Sequence, residues 1–289
     1  MTTEADVPVA PRVVRSTRNP VSKAIRVLRW MVDTPMANFG LREIARGTRL
    51  PPSTVHRVLT DLGESGLVEI DPKSGRYVFG SELSRIAWKL TARFPLREVA
   101  LPALQQLVDA SNESAFIGVF DRHREKVMFI AAVESTHELR YVVPLHVWTE
   151  LSFGASTLAI LAFLEPAERD RIFKRIAVIE AERGHHADLE EIRRTLDRVR
   201  RDGVAISVGS RVKEAIGISA PVFDAQHDVI ASLGLSIPLN RDFDVEAVSS
   251  MVSFAGQRIS TELGASISRS IDRDSHIADV PGDFFSLES

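Results

Sequence analysis

From Pro20 onward the apolar residues recur first at helical spacing, and later at the spacing of strands. Val21, Ala24, Ile25, Leu28, Met31 and Val32 predict an amphipathic helix from about Pro20 to Asp33. Asn19 is placed to cap it, and Pro35 and the Asn38–Gly40 region break it. Leu41, Ile44 and Ala45 mark the inward side of a second helix that ends near Gly47. Pro51-Pro52 turns the chain into a third, Pro52 to about Glu64, with Val55, Val58, Leu59 and Leu62 as its buried stripe. Leu67–Ile70 and Tyr77–Phe79 flank a Pro-Lys-Ser-Gly turn and read as a two-stranded hairpin. Two short helices, a turn between them and a following hairpin make a winged helix-turn-helix.

A helical linker over about Leu83–Ala92 carries Leu83, Ile86, Ala87 and Leu90 on one side, with Trp88 beside them. After the Phe94-Pro95 break, Leu96, Val99, Ala103, Leu104, Leu107 and Val108 predict a longer helix. From Ser114 the period shortens, with strands expected at Ala115–Phe120, Lys126–Val133 and Leu139–Val143. Helices follow over about Gly154–Leu164, Pro166–Ile176 and Asp188–Arg201. Strands return at Val204–Val208, Ile216–Phe223 and Val229–Ile237, with a turn at Asp224–His227, before a last helix over Val245–Leu263. Strands on both sides of a helical stretch predict one α+β domain built on an antiparallel sheet. The expected division is a flexible leader over 1–19, the winged helix over 20–82 and a helical linker over 83–95. A second domain would span 96–265, and a loose tail with an apolar Phe284-Phe285 would span 266–289.

A chain of 289 residues suits two domains. No apolar run approaches the ~18 residues of a membrane span, and the acidic start lacks a signal peptide's basic and apolar regions. No membrane partner and a cytoplasmic location are therefore expected. Cysteine is absent, which removes disulfides, thiolate metal sites and cysteine nucleophiles. The net charge of −3 hides an asymmetry: residues 1–90 hold 14 Lys/Arg against 9 Asp/Glu, and the remainder 22 against 30. A basic N-terminal part joined to an acidic remainder fits a nucleic-acid-binding module with a second domain that does not touch nucleic acid.

On the third helix Ser53, His56, Arg57, Thr60 and Glu64 share one polar face, which can lie in a major groove. Arg57 is the candidate for a base or phosphate contact, since a guanidinium pairs bidentately with guanine or clamps a phosphate. Ser53 and Thr54, at the helix start, suit phosphate anchoring, and His56 suits either role or a bystander's. Arg42, Arg49, Lys73 and Arg76 are candidate backbone contacts, each also readable as an ordinary surface charge. Arg12, Arg15 and Arg18 in the leader read as a solvated tail that adds non-specific attraction at most.

In the second domain Phe153-Gly154-Ala155-Ser156 enters a helix, where backbone N–H groups can receive a carboxylate. Ser207, Ser210, Arg211 and Lys213 fall on a glycine-containing loop, and the two cations suit an acidic effector such as an organic acid. Phe116, Phe120, Met128 and Trp148 are candidates for apolar pocket walls or for plain core. No Gly-x-Ser-x-Gly elbow, P-loop or His-Glu-x-x-His motif is present, so no enzyme is expected, nor a cofactor. His185-His186 with Asp188 lacks a third ligand at fixed spacing and reads as a solvated loop rather than a metal site.

These features together resemble the IclR family of bacterial transcriptional regulators. The matching motifs are Leu41-Arg42-Glu43-Ile44-Ala45 in the second helix, Ser53-Thr54-Val55-His56-Arg57-Val58-Leu59 in the third, and Tyr77-Val78-Phe79-Gly80 at the end of the wing. A looser likeness over 96–265 rests on Ala155 to Ala162, Gly203-Val204-Ala205 and Ile218 to Asp224. The resemblance implies a GAF-like effector-binding fold, with the Ser207–Lys213 loop facing the same cavity as Gly154. It also implies a homodimer, often paired into a tetramer, on a palindromic double-stranded operator. Thr157 stands where the family usually has a pocket-opening glycine, Leu158 where a polar or basic residue is common, and Ser210 where an acidic residue is frequent. The architecture carries over and the effector stays open. The resulting expectation is a regulator, repressing by default, that responds to a small metabolite. The rival is an enzyme or metabolite-binding module whose winged helix contacts protein or RNA.

Overall fold

The computed structural model describes residues 19–92, 95–182, 188–210 and 212–265. The leader arginines, the His185-His186 pair, Arg211 and Phe284-Phe285 lie outside the described residues. The chain divides into two units, up to Phe94 and from Pro95.

The first unit opens with α1 (Pro20–Asp33), α2 (Leu41–Thr48) and α3 (Pro52–Glu64). Asn19 fixes where α1 begins, because its Oδ1 accepts the Val21 N–H at 2.9 Å and Pro20 needs no hydrogen bond of its own. The three helices close over Val27, Met31, Ile44, Val55, Leu59 and Leu62. The inward face of α1 is rotated from the predicted one: Val27 and Met31 are buried, whereas Val21, Ile25 and Val32 are exposed. Trp30 sets this rotation. Its ring seats on Gly47, where a Cβ would come within 2.0 Å of the indole Nε1, and it meets Phe39 edge-on at 6.0 Å. Gly47 thus seats an aromatic ring in the last turn of α2, which ends at Thr48, next to the expected position.

The wing is an antiparallel pair, β1 (Val68–Ile70) and β2 (Tyr77–Phe79), in register Val68↔Phe79. Asp71 builds its turn by accepting the Lys73 N–H and the Ser74 hydroxyl. Phe39 and Tyr77 exchange two backbone hydrogen bonds of 2.8 and 2.9 Å, which tie the chain before α2 to the wing. Gly80 then caps α4 (Ser81–Thr91), and a Cβ on Gly80 would stand 2.1 Å from the Gly66 carbonyl oxygen. The start of α4 is therefore pressed against the end of α3. No residue of α4 is buried within the unit, and Trp88 is 74% exposed.

The second unit begins with α5 (Leu96–Ser111) and is built on six antiparallel strands: β3 (Ser114–Asp121), β4 (Lys126–Val133), β5 (Trp148–Glu150), β6 (Ala205–Val208), β7 (Ala215–Phe223) and β8 (Val229–Pro238). Their order is β5-β4-β3-β8-β7-β6. Ile117, Ile218, Ala220, Leu233 and Leu235 point to one face and pack with Leu104 and Leu107 of α5 and Val252 and Ile259 of α9 (Val245–Glu262). Phe116, Val127 and Phe129 point to the other, toward α6 (Ala155–Leu161), α7 (Pro166–Glu182) and α8 (Leu189–Asp202). Each Val, Leu, Ile or Phe among these stabilises the fold by about 1.5–3 kcal/mol when fully buried.

One predicted strand is absent. Leu139–Val143 is loop, and the strand that pairs with β4 is Trp148–Glu150. The loop is held by side chains instead of by a ladder. Ser135 Oγ donates to the Asn112 carbonyl at 2.5 Å, Arg241 to the Leu139 carbonyl at 3.1 Å, and the Tyr141 hydroxyl to the Glu214 carbonyl at 2.8 Å. Period-two alternation alone cannot tell such a loop from a strand.

The contact at Gly80 is with backbone, which cannot swing aside. Gly80→Ala is expected to destabilise the first unit by about 1–3 kcal/mol, read as an earlier transition in thermal denaturation followed by circular dichroism. A variant as stable as wild type would mean that α4 does not depend on this contact.

Candidate nucleic-acid interface and ligand cavity

In the first unit the polar side of α3 faces solvent: Ser53, His56, Arg57 and Thr60 are exposed and Thr54 is half-buried. Thr60 turns its hydroxyl back to the His56 carbonyl at 3.0 Å, so its donor is already used within the helix. The structure adds a cation missing from the predicted set. Arg42, Arg46 and Arg49 fall at i, i+4 and i+7 along α2 and at its C-cap, all three exposed. Arg49 stands in the left-handed region at φ 53° and closes the helix with its own N–H. The spacing of Arg46 was available in the sequence. Lys73 is exposed on the wing turn.

Arg76 has a different place from the one expected. Its guanidinium pairs with Glu43 at 2.5 Å and reaches the Asn38 carbonyl at 3.3 Å, so it clamps the wing to α2 instead of facing a phosphate. Glu43 also accepts the Gly40 N–H at 3.0 Å. That backbone hydrogen bond, and then Arg76, hold the Glu43 carboxyl below the usual carboxylate range.

In the second unit a cavity of about 120 Å³ lies between α6 and the sheet. Phe116, Gly154, Ala155, Ser156, Ser207 and Ser210 of the predicted set line it. Met128 and Trp148 do not: they are cross-strand partners on β4 and β5, and Arg124 stacks over the Trp148 ring at 5.3 Å. Lys213 is exposed and is not part of the lining, and Arg211 lies outside the described residues. At the expected anion seat, the start of α6, the Ala155 N–H donates to Ser207 Oγ at 2.9 Å. The N–H groups of Thr157 and Leu158 both return to the Gly154 carbonyl at 3.0 Å.

Further lining comes from residues that sequence reasoning did not select. Ser219 and Ser236 rise from β7 and β8 beside Gly217, and Tyr141, Val142 and Val143 close the cavity from the anchored loop. Partial burial and the charge of Glu214 raise the Tyr141 phenol above its ordinary value, and the hydroxyl donates to the Glu214 carbonyl. A signal for the sheet residues exists in the sequence: in 215–220 and 231–237 aliphatic residues alternate with Gly and Ser rather than with large polar ones. Such a strand can support a hollow.

Two family models match the chain: the IclR helix-turn-helix domain over residues 20–72, and the bacterial transcriptional regulator IclR C-terminal domain over 88–261. The chain belongs to the IclR family. Among its relatives, the glycerol operon regulatory protein of Streptomyces coelicolor is 29% identical over 239 residues, covering 78% of this chain and 89% of that protein. The HTH-type transcriptional regulator KipR of Bacillus subtilis is 24% identical over 216 residues, covering 75% and 84%. An IclR homologue from Microbacterium hydrocarbonoxydans, solved in complex with 4-hydroxybenzoate, superposes with a TM-score of 0.69 at 25% identity, covering 86% of this chain and all of that one. This IclR-family chain is a DNA-binding transcriptional regulator with a ligand-binding C-terminal domain, and not an enzyme. No described helix is long and apolar enough to cross a membrane.

Two outcomes are expected. A depressed Glu43 contributes stability that is present above its ordinary pKa and lost as pH falls through the lowered value. Thermal scans from neutral to acid pH should therefore show wild type losing part of its margin over Glu43→Gln in the acid range; a constant margin would refute the ionic clamp. Arg46→Ala should weaken binding to all DNA sequences alike and reduce the salt slope by about one. An unchanged slope would remove Arg46 from the interface.

Proposed function

We propose that the chain is a ligand-responsive repressor, acting in the cytoplasm, that binds a two-fold symmetric operator as a homodimer or a dimer of dimers. A small metabolite in the cavity between α6 and the sheet changes its affinity for that operator. The observation that carries the DNA-binding half is electrostatic. Arg42, Arg46, Arg49, Arg57 and Lys73 are exposed and make no salt bridge among the described residues, on the two helices and the wing, although the charge of Arg46 also acts on Glu43. Cations without an internal partner are available to neutralise phosphates and release counterions. Arg57 sits on the face that a recognition helix presents to base edges, and Ser53 and Thr54 at its start suit phosphate anchoring.

Assembly into a dimer is supported by apolar surface that the first unit leaves uncovered. Trp88 and Leu90 on α4, with Val21, Ile25 and Val32 on α1, are exposed. Apolar patches of this kind mark interaction surfaces, and a second copy of the chain matches the symmetry of a palindromic operator. The cavity's role as the effector site is supported by its concave, mixed apolar and hydroxyl lining. That the Microbacterium relative was solved in complex with a small molecule supports a ligand for this chain. A ligand can change operator affinity only by binding two arrangements of the protein unequally. Repression is the default sign because a dimer seated over a promoter blocks polymerase.

The test is fluorescence anisotropy on the upstream intergenic DNA and on scrambled DNA over a range of salt concentrations. Wild type should prefer the native fragment and weaken steeply with salt, while Arg57→Ala loses about 1–3 kcal/mol of that preference. Tight binding with a flat salt response would favour the reading in which the winged helix contacts protein, and preference for an RNA copy would favour RNA.

A further inference from the structure

We propose that Arg76 and Glu43 are positioning residues for DNA binding: their ion pair holds the wing where Lys73 meets the duplex bound by the α2 and α3 cations, and neither residue touches DNA itself. The inference rests on the reading of the wing as a phosphate contact. The wing's ladder is three residue pairs long, from Val68↔Phe79 to Ile70↔Tyr77, and Ile70 and Phe79 are exposed. A two-stranded ribbon of that length is marginally stable alone and takes its orientation from what fastens it. Buried Val68 and the Phe39–Tyr77 hydrogen bonds anchor the strands. Beyond them, the Arg76 side chain ties the turn to the helices.

The tip itself is closely braced. Asp71 accepts the N–H groups of Lys73 and Ser74 at 3.2 Å each, and its own N–H donates to the Arg76 carbonyl at 2.8 Å. The Arg76 N–H donates to Ser74 Oγ at 3.3 Å. Lys73 therefore moves with the Arg76 backbone. From there the guanidinium crosses to the helices, where Nη2 donates to Glu43 Oε2 at 2.5 Å and to the Asn38 carbonyl at 3.3 Å. The same Glu43 oxygen accepts the Gly40 N–H at 3.0 Å. One carboxylate oxygen thus fixes both the start of the helix that carries Arg42 and Arg46 and the base of the turn that carries Lys73. A half-exposed pair of this kind adds little to stability, but charged hydrogen bonds to two acceptors restrict direction. The sign of the charge separates positioning from plain electrostatics. Glu43 is an anion on a DNA-binding unit, so by charge alone its removal raises affinity for DNA. A positioning role predicts the reverse.

The experiment is fluorescence anisotropy of the full chain on the upstream intergenic fragment and on scrambled duplex, over a range of salt concentrations. The variants are Lys73→Ala, Arg76→Gln, Glu43→Ala, Glu43→Gln and the doubles of Lys73→Ala with Arg76→Gln and with Glu43→Ala, each checked for native circular dichroism. Lys73→Ala, Arg76→Gln and Glu43→Ala should each weaken binding about two- to fivefold and lower the salt slope by about one for each bound copy. Each double should be no weaker than its singles, because the pair acts through Lys73. Glu43→Gln keeps an oxygen for Arg76 and Gly40 and should fall between Glu43→Ala and wild type. If Arg76→Gln does not fold, the cycle with Glu43→Ala carries the same test. Glu43→Ala that binds DNA as tightly as wild type or tighter overturns the proposal. Losses that add in the Arg76 double, with the slope falling by about two, make Arg76 a DNA contact in its own right and overturn it as well. If Lys73→Ala leaves affinity and slope unchanged, the reading of the wing as a contact fails and the proposal with it, while the contacts of α2 and α3 stand.

Discussion

The sheet of the second unit is asymmetric in side-chain size, and the ligand cavity depends on that asymmetry. Along β7 and β8 every second residue is aliphatic and sealed by α5 and α9. The intervening positions are Gly217 and Ser219 on one strand and Ser232, Gly234 and Ser236 on the other. Interiors normally pack at crystal-like density, so a hollow survives only where side chains are too short to cross it and the layers are held apart by something else. Here the spacing is held at the sides by Phe116, Phe129 and the α6–α8 core, while the centre of the face is left to hydroxyls and bare α-carbons. One face of the sheet supplies the stability that allows the other to stay unfilled.

Charge is used by opposite rules in the two units. In the second, many arginines are committed to internal carboxylates: Arg122 bridges Glu168 and Asp228, Arg175 bridges Glu125 and Glu150, and Arg241 holds the nearly buried Glu113. Pairs that stay exposed contribute little individually, about 0–1 kcal/mol. In the first unit Arg76 is committed in the same way, to Glu43, and fixes the wing. The arginines of α2, with Arg57 and Lys73, are not. A cation left without a salt bridge keeps its charge for an outside anion, and the proposed DNA contact draws on that property.

That sorting also marks where sequence reasoning reached and where it stopped. The order of elements and the α+β class were legible, because caps, breakers and two distinct hydrophobic periods are local signals. The rotation of α1 was not, since a tryptophan seated on Gly47 outweighs the aliphatic stripe. Arg76 carried the right charge in the right hairpin, yet its partner lies 33 residues away in sequence. Leu139–Val143 had a strand's pattern and lacked a neighbouring strand to pair with. At the cavity the motif-like residues Gly154, Ala155, Ser156, Ser207 and Ser210 were legible, while Ser219 and Ser236 were not, because a serine in a strand announces a ligand site only once it is known what its neighbours leave empty.

The placement of α5 limits how a ligand can be felt elsewhere. That helix begins immediately after the link between the two units, and it packs on the sheet face opposite the cavity. Under the proposed effector role, β3, β7 and β8 offer a route, since they carry cavity residues on one side and α5–α9 contacts on the other. Packed strands do not deform continuously; they shift between discrete arrangements. The element best placed to select between them is the closure over the cavity, where the Tyr141–Glu214 hydrogen bond joins the loop before β5 to the turn before β7. A ligand that filled the hollow without changing that closure or the strands beneath it would have equal affinity for both arrangements, and would bind without regulating.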